Sequence, residues 1–475
     1  MEEKGRESLA SSLGFLLVSA GCAVGLGNVW RFPYIVGKNG GALFVLLYIL
    51  FLLLFGLPMM TVEFAVGRAA GRSLATAYPL LTPRPGVFRA IARVQVAGNW
   101  LLMMFYTTVA GWMLAYPVAI LSGWFNFASP EAFFGNFVAS ASGQLFWMTV
   151  VCAIGFGICA LGLEKGVESV TKKLMALLFV ILVGLSVYVC TLPGAGAGVA
   201  YYLKPSLASL QARSLFGVVL DALGQSFFTL SLGIGSMAIF GSYTSRRYTL
   251  GGESAKIIGI DTVVALLSGL IIFPACFAFN TRPDAGPSLI FITLPQVFAK
   301  MGPVGTWIGA VFFVFLALAA LTTVITVFEN IVAMTMERHQ CTRHRAIRRN
   351  APLLLLLSVP CALGFGALSG LQPLGAGSTI LDLEDFLVSN LALPLGSLAI
   401  LIFCVSRRYW GWESFLREAN AGRGLKLPRG MRWYMAYVLP AVMLFVFVAS
   451  LLEKFGLTER LRTLVQTLCS GACGA

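Results

Sequence analysis

The side chains best able to do chemistry sit inside apolar runs. Asp261 lies in IIGIDTVVALLSGL, where an ionised carboxylate is expensive and by default functional. The run Gly21-Cys22-Ala23-Val24-Gly25-Leu26-Gly27-Asn28 places three glycines and an asparagine mid-run, and Thr229-Leu230-Ser231-Leu232-Gly233-Ile234-Gly235 places two glycines and two hydroxyls in another run further on. Each glycine inside a helix costs about 1 kcal/mol relative to alanine. Such segments either pack closely against a neighbouring helix or unwind. An unwound backbone is tolerated at membrane depth only where it lines a cavity. Its free amides then attract an anion and its free carbonyls a cation. Arg31, three residues past Asn28, is either an interfacial anchor or a buried charge in need of a partner. As bare sequence, Thr322-Thr323 read as hydroxyls bonding back to their own helix, and Tyr106 as packing in an aromatic-rich helix. Glu63, Glu329 and Asp382 read as structural hydrogen-bonding groups.

Other chemistries lack their parts. His339 and His344 are the two histidines, both read as solvated in a basic loop, so neither a haem, a histidine-rich metal centre nor a histidine proton relay can be built. The ten cysteines are scattered. Cys469 and Cys473, the one close pair, read as tail thiols, with a disulfide as the alternative. No nucleophile–base constellation speaks for an enzyme.

The elements that must position these residues are helices in a membrane. The 475 residues are 58% hydrophobic and 11% charged, against about 25% charged in soluble domains. Runs long enough to span, roughly 20 apolar residues each, fall at 11–37, 41–67, 94–124, 144–162, 170–192, 216–243, 257–280, 304–336, 351–369, 380–405 and 433–453. No cleavable signal precedes the first. The net charge of +14 would suit nucleic acid, but its placement reports topology instead. With the N-terminus cytoplasmic, 25 of the 34 lysines and arginines fall inside, the positive-inside bias. An odd number of spans puts the C-terminus outside. We therefore read one transmembrane transport domain over 1–475 in a cell membrane. It divides into a first five-span repeat (11–192), an inverted second repeat (216–405), an eleventh span (433–453) and an external tail (454–475). The two glycine-broken segments open successive five-span blocks, which is where an inverted repeat places discontinuous helices around a substrate and ion site.

Five runs carry a resemblance. GCAVGLGNVWRFPYIVGKNGGALF (21–44), GQSFFTLSLGIG (224–235), GPSLIFITLP (286–295), ALTTVITVFEN (320–330) and LDLEDF (381–386) closely resemble the neurotransmitter:sodium symporter family, in order and spacing, over residues 1 to about 405. The resemblance implies an all-α membrane protein with the leucine-transporter-like fold: two inverted five-helix repeats with broken helices 1 and 6, plus an eleventh transmembrane helix. It implies a sodium-coupled symporter importing a small amino acid by alternating access, with no nucleic-acid partner. A first sodium would be held at Ala23, Asn28, Thr229 and Asp261, and a second at Gly21, Val24, Ala319, Thr322 and Thr323. These oxygen donors suit a hard cation. Asp261 stands where relatives often have Asn, and Ala265 where chloride-dependent relatives have Ser, so two sodium ions and no chloride are expected. Gly25 stands where carriers of amines without a carboxyl group place Asp, leaving room for a substrate carboxylate against the amides of Leu26 and Gly27 and the hydroxyl of Tyr106. The amino group would meet carbonyls near Ala23 and Phe228 and the hydroxyl of Ser231. Thr229 and Thr323 adjoin this site. The walls Leu102, Phe228, Ile234 and Val327 are apolar, which implies a neutral, hydrophobic or aromatic L-amino acid. Val327 is smaller than the Ile of a leucine-selective relative, favouring bulky side chains. Arg31 and Asp385, with Gln225 beside them, map to an external gate, and Arg6 and Glu337 to a cytoplasmic one. A channel would not need both locks. Three departures stand out: Leu9 replaces a Trp of the N-terminal lock, Ala176 replaces a Pro ten residues after Gly166, and there is no twelfth span.

Overall fold

The computed structural model describes residues 9, 11–205, 215–281 and 288–454. Among these, structure is helical apart from one isolated bridge, Tyr248 to Arg423. Nine helices are long and apolar enough to cross a membrane, and a bent pair makes a tenth. Span 6, whose halves are each too short to qualify, completes the eleven apolar runs.

The two breaks have local causes. Span 1 starts at a Ser11 cap that accepts from the Gly14 amide at 2.9 Å. It runs Ser12–Ala23 and leaves the helix at Val24, whose ψ is 100°. It resumes as Gly27–Lys38, bent by 52°. Span 6 runs Leu215–Thr229 and then Ser236–Ser242. Between them Ser231, Gly233 and Gly235 take φ values of 50°, 102° and 89°. Left-handed backbone costs an L-residue about 1–2 kcal/mol, so the glycines and a well-bonded surround let the chain unwind here. At Gly233 the surface is also tight: a Cβ would lie 2.2 Å from the Leu393 carbonyl oxygen. Close packing and unwinding thus coincide at one residue.

The other spans are Ala42–Ala70 (span 2), Phe88–Leu121 (3), Ala141–Ala160 (4), Leu163–Cys190 (5), Leu250–Ala278 (7), Pro303–His339 (8), Arg343–Leu363 (9), Ile380–Val405 (10) and Met431–Leu452 (11). Span 9 begins eight residues before the apolar run at 351–369 because Arg343 is buried against Glu329 of span 8, at 2.5 Å, so a charged turn belongs to the helix. His339 and His344 are exposed but lie on helices, at the end of span 8 and the start of span 9. Short helices occupy stretches read as plain connections, including Leu74–Leu81, Pro130–Ala139 and Trp412–Ala419. The last is pinned by Glu418, which accepts from Arg68 at 2.7 Å and from Arg246 at 2.9 Å.

Span 8 is the most enclosed and is largely buried, whereas spans 5 and 11 are mostly exposed on the outside of the bundle. Spans 3 and 8 pack along one another, and span 1 lies against span 8. The outer spans turn residues such as Val180, Leu356 and Phe445 outward, an apolar belt suited to lipid and not to water. The breaks of spans 1 and 6 therefore face spans 3 and 8 at the centre of the bundle.

Candidate functional site

Unwound backbone must find partners elsewhere, and here it finds them in side chains. In span 6, Glu63 accepts from the amides of Gly233 at 2.8 Å and Met237 at 3.1 Å. Gln95 donates to the Gly233 carbonyl at 3.0 Å and Asn99 to the Ile234 carbonyl at 2.7 Å. In span 1, the Gly25 amide turns to Asn28 Oδ1 at 3.1 Å, and the Asn28 amide turns to the Gly25 carbonyl at 3.1 Å. Those amides would otherwise cap the carbonyls of Gly21 and Val24. The break thus frees two carbonyl oxygens inside the bundle.

Both freed oxygens point at span 8. Thr323 Oγ1 lies 3.4 Å from the Gly21 carbonyl, 3.3 Å from that of Val24 and 3.5 Å from that of Ala319. Thr322 Oγ1 donates to the Ala319 carbonyl at 2.9 Å. One hydroxyl proton can serve only one of three carbonyls. Oxygens bound to a hard cation at ~2.4 Å and right angles are about 3.4 Å apart, so this cluster has the spacing of a cation's ligands.

A second polar cluster surrounds Asp261, which is fully buried. Its carboxylate accepts from Asn28 Nδ2 at 2.8 Å, Thr229 Oγ1 at 3.3 Å and Tyr48 Oη at 3.5 Å. All three donors are neutral, and no lysine or arginine among the described residues is within 4.0 Å. A buried carboxylate without a countercharge is strongly destabilising, so the cluster calls for a cation. Ala265, one turn on, is buried and brings only a methyl group.

Between the clusters lies a cavity of about 410 Å³. Ala23, Gly25, Leu26, Gly27, Leu102, Tyr106, Phe228, Thr229, Ser231 and Thr323 line it. Ile234 and Val327 do not: both are fully buried, Ile234 behind the unwound turn and Val327 inside span 8, so neither is a wall in this conformation. The floor is open because residue 25 is glycine. A Cβ there would lie 2.5 Å from Thr323 Oγ1 and 2.7 Å from Tyr106 Oη. Tyr106 Oη also accepts from the Leu26 amide at 3.3 Å, so two of the expected carboxylate donors are already adjacent. Above the floor, Trp112, Phe291 and Phe365 form an edge-packed aromatic wall, with centroids 5.1–5.6 Å from Trp112.

The gate residues are placed as follows. Arg31 and Asp385 both line the cavity mouth but are not paired. The guanidinium lies over the Phe228 ring, 4.0 Å from its centroid, and Asp385 accepts from Ser389 Oγ at 2.6 Å. Gln225 is fully buried and braces the break instead, donating to the Gly27 carbonyl at 2.9 Å. At the opposite end, Glu337 accepts from the Ser73 amide at 3.0 Å, the Ser73 hydroxyl at 2.5 Å and Thr76 Oγ1 at 3.0 Å. Arg6 lies outside the described residues, as do Cys469 and Cys473. Leu9 packs against the core. Nearby, Glu168 of span 5 accepts from Lys172 at 2.5 Å and from Ser11 at 3.2 Å, tying the start of span 1 to span 5.

Sequence reasoning missed Tyr48 at the Asp261 cluster, and it missed Gln95 and Asn99 as partners of the unwound span 6. The last two had a signal: amides four residues apart fall on one helix face, and polar groups inside a span are costly unless used.

A helical bundle with two broken spans, two cation-seeking oxygen clusters and a cavity between them is a secondary transporter. The sequence matches the sodium:neurotransmitter symporter family over residues 6–134 and 136–460, and the chain belongs to that family. It is 34% identical to the uncharacterized sodium-dependent transporter YhdH of Bacillus subtilis, over 94% of this chain and 98% of that one. It is 26% identical to the human sodium- and chloride-dependent taurine transporter, over 95% of this chain and 79% of the relative. Among solved structures it is similar to MhsT in complex with L-phenylalanine, with a TM-score of 0.82 and 36% identity, covering 94% of this chain and 99% of that one. The leucine-transporter-like fold, with spans 1 and 6 broken, is thereby established. So is a multi-pass, sodium-dependent transporter that is not an enzyme.

Proposed function

We propose that the protein imports a neutral, hydrophobic or aromatic L-amino acid together with two sodium ions, without chloride, by alternating access. The observation that carries this reading is the Gly25 floor. Its missing Cβ leaves space beside Tyr106 Oη, Thr323 Oγ1 and the Leu26 amide, donors suited to an α-carboxylate. The walls Leu102, Phe228 and Phe291 are apolar, and the charges that line the same cavity, Arg31, Asp382 and Asp385, belong to the region read as the external gate. Burying an unpaired charge there costs several kcal/mol, whereas each buried methylene gains about 0.8 kcal/mol. The phenylalanine bound to MhsT is the same class of ligand. One sodium goes to Ala23, Asn28, Thr229 and Asp261, where the carboxylate supplies the negative charge that chloride supplies to other carriers. The other goes to Gly21, Val24, Ala319, Thr322 and Thr323.

The charge bias supports an N-terminus in the cytoplasm and a C-terminus outside, with repeats at 11–192 and 216–405. On that topology the cavity mouth at Arg31 and Asp385 opens outward, and their separation fits an external gate that closes once substrate is seated. With a tenfold sodium gradient and −100 mV, each ion supplies about 3.7 kcal/mol. Two ions give about 7 kcal/mol, enough for roughly 10⁵-fold accumulation of a zwitterion. A binding screen of the twenty amino acids in sodium tests the assignment. Leucine-like or aromatic residues should bind best, and tryptamine should fail to compete with tryptophan. Best binding by glycine, lysine or aspartate would overturn the wall argument.

A further inference from the structure

A second cleft of about 410 Å³ lies at the other end of the bundle, between the short helix Leu74–Leu81 and the ends of spans 3, 8 and 9. Its rim is strongly cationic. Arg89 and Arg93 are one turn apart on span 3, Arg338 is in the last turn of span 8, and Arg349 is in the second turn of span 9. His339 joins them, and among the described residues no aspartate or glutamate lines the cleft. None of the four arginines has an ion-pair partner within 4.0 Å among the described residues. The neighbouring polar pair is satisfied internally, Asn350 donating to Thr335 at 2.9 Å. Four like charges sharing one cavity repel each other, and the oxygens of a phosphate group are the natural counterpart of guanidinium forks. Deeper in, the lining turns apolar at Val96, Trp100 and Leu353. Leu353 is 42% exposed on the outer surface, so the floor continues to the face turned toward lipid.

We propose that this cleft binds the phosphate head group of an anionic phospholipid, with the acyl chains leaving over Leu353. A cationic rim joined to an apolar exit fits an amphiphile better than a free anion, and a basic pocket between spans is a recognised lipid site. The site adjoins the cytoplasmic closure, because Thr76 lines the cleft and its hydroxyl holds Glu337 at 3.0 Å. Bound lipid would brace the short helix that carries Ser73 and Thr76.

The test uses the full chain in a non-ionic detergent, followed by thermal unfolding. Dioctanoyl phosphatidylglycerol should raise the midpoint saturably by a few degrees, while dioctanoyl phosphatidylcholine and inorganic phosphate at equal concentration should not. Arg93→Gln with Arg349→Gln should raise the half-saturating lipid concentration at least fivefold. Arg89→Gln with Arg338→Gln is a second pair from the same rim, should the first fail to fold. Arg407→Gln with Arg408→Gln, two exposed arginines elsewhere, should change nothing. Equal protection by phosphatidylcholine would overturn the charge argument, and equal protection by phosphate the lipid assignment. A matching loss in the Arg407/Arg408 pair would reduce the effect to diffuse surface charge.

Discussion

Replacing Gly25 with alanine adds one methyl group at the most crowded point of the cavity floor. The new Cβ would lie 2.5 Å from Thr323 Oγ1 and 2.7 Å from Tyr106 Oη, closer than carbon and oxygen approach without displacement. Either both hydroxyls move or the unwound backbone does. Tyr106 would lose its place beside the Leu26 amide, now 3.3 Å away, and Thr323 its place among the carbonyls of Gly21, Val24 and Ala319. A hydrogen bond to a charged group is worth about 1.5–3 kcal/mol. Losing one to the substrate carboxylate should therefore weaken binding about 10- to 150-fold. Because the same methyl disturbs a sodium ligand, the sodium concentration for half-maximal binding should rise as well. The assay is equilibrium binding of the tightest amino acid from the screen, titrated at several sodium concentrations. Gly157→Ala is the control, since a Cβ there meets nothing within 4 Å, and it should bind as the parent does. Gly25→Asp should go further, losing the amino acid and gaining the matching amine, since the carboxylate then comes from the protein. Gly25→Ala binding within threefold of the parent, with unchanged sodium dependence, would refute the reasoning.

Other perturbations follow from the surrounding contacts. Asp261→Asn removes a charge worth roughly 4 kcal/mol to an ion at about 4 Å and an effective dielectric near 20, before desolvation. Sodium affinity should fall, and adding Ala265→Ser should make uptake chloride-dependent, measured by exchanging chloride for gluconate. Glu337→Ala should release the contact between span 8 and the Leu74–Leu81 helix, and Ser73→Ala, which keeps the backbone-amide and Thr76 bonds, should weaken it. A cysteine in the cytoplasmic pathway should then label faster in sodium, and unchanged labelling in both would mark the contact as a passive surface one. Glu168→Gln should loosen the hold of span 5 on Ser11 at the start of span 1. Hydrogen exchange over residues 12–20 should rise severalfold while exchange in span 8 stays constant.

The spans were legible because lipid demands long apolar runs, and the breaks because glycines and an asparagine contradict such runs. The family motifs then supplied roles that bare residues lacked: Thr322-Thr323 read alone as helix back-bonding, and part of that bonding is present, since Thr322 does donate to Ala319 at 2.9 Å. What stayed hidden depended on distant partners. Arg343 looks like loop charge until Glu329 is beside it. Gln95 and Asn99 have no evident task until span 6 unwinds against them. Arg31 resembles half of an ion pair, yet here the Phe228 ring holds it. Ile234 and Val327 match pocket positions, but both are fully buried and neither lines the cavity in this conformation.

Sodium-driven uptake by the purified protein in sealed proteoliposomes tests the central claim most directly. An inward sodium gradient, with gluconate as the anion on both sides, should drive labelled L-phenylalanine or L-leucine above its external concentration. Collapsing the gradient with a sodium ionophore should abolish the overshoot, and Asp261→Asn should suppress it under these chloride-free conditions. Equilibration without an overshoot, or an overshoot that appears only when chloride is restored, would contradict the account.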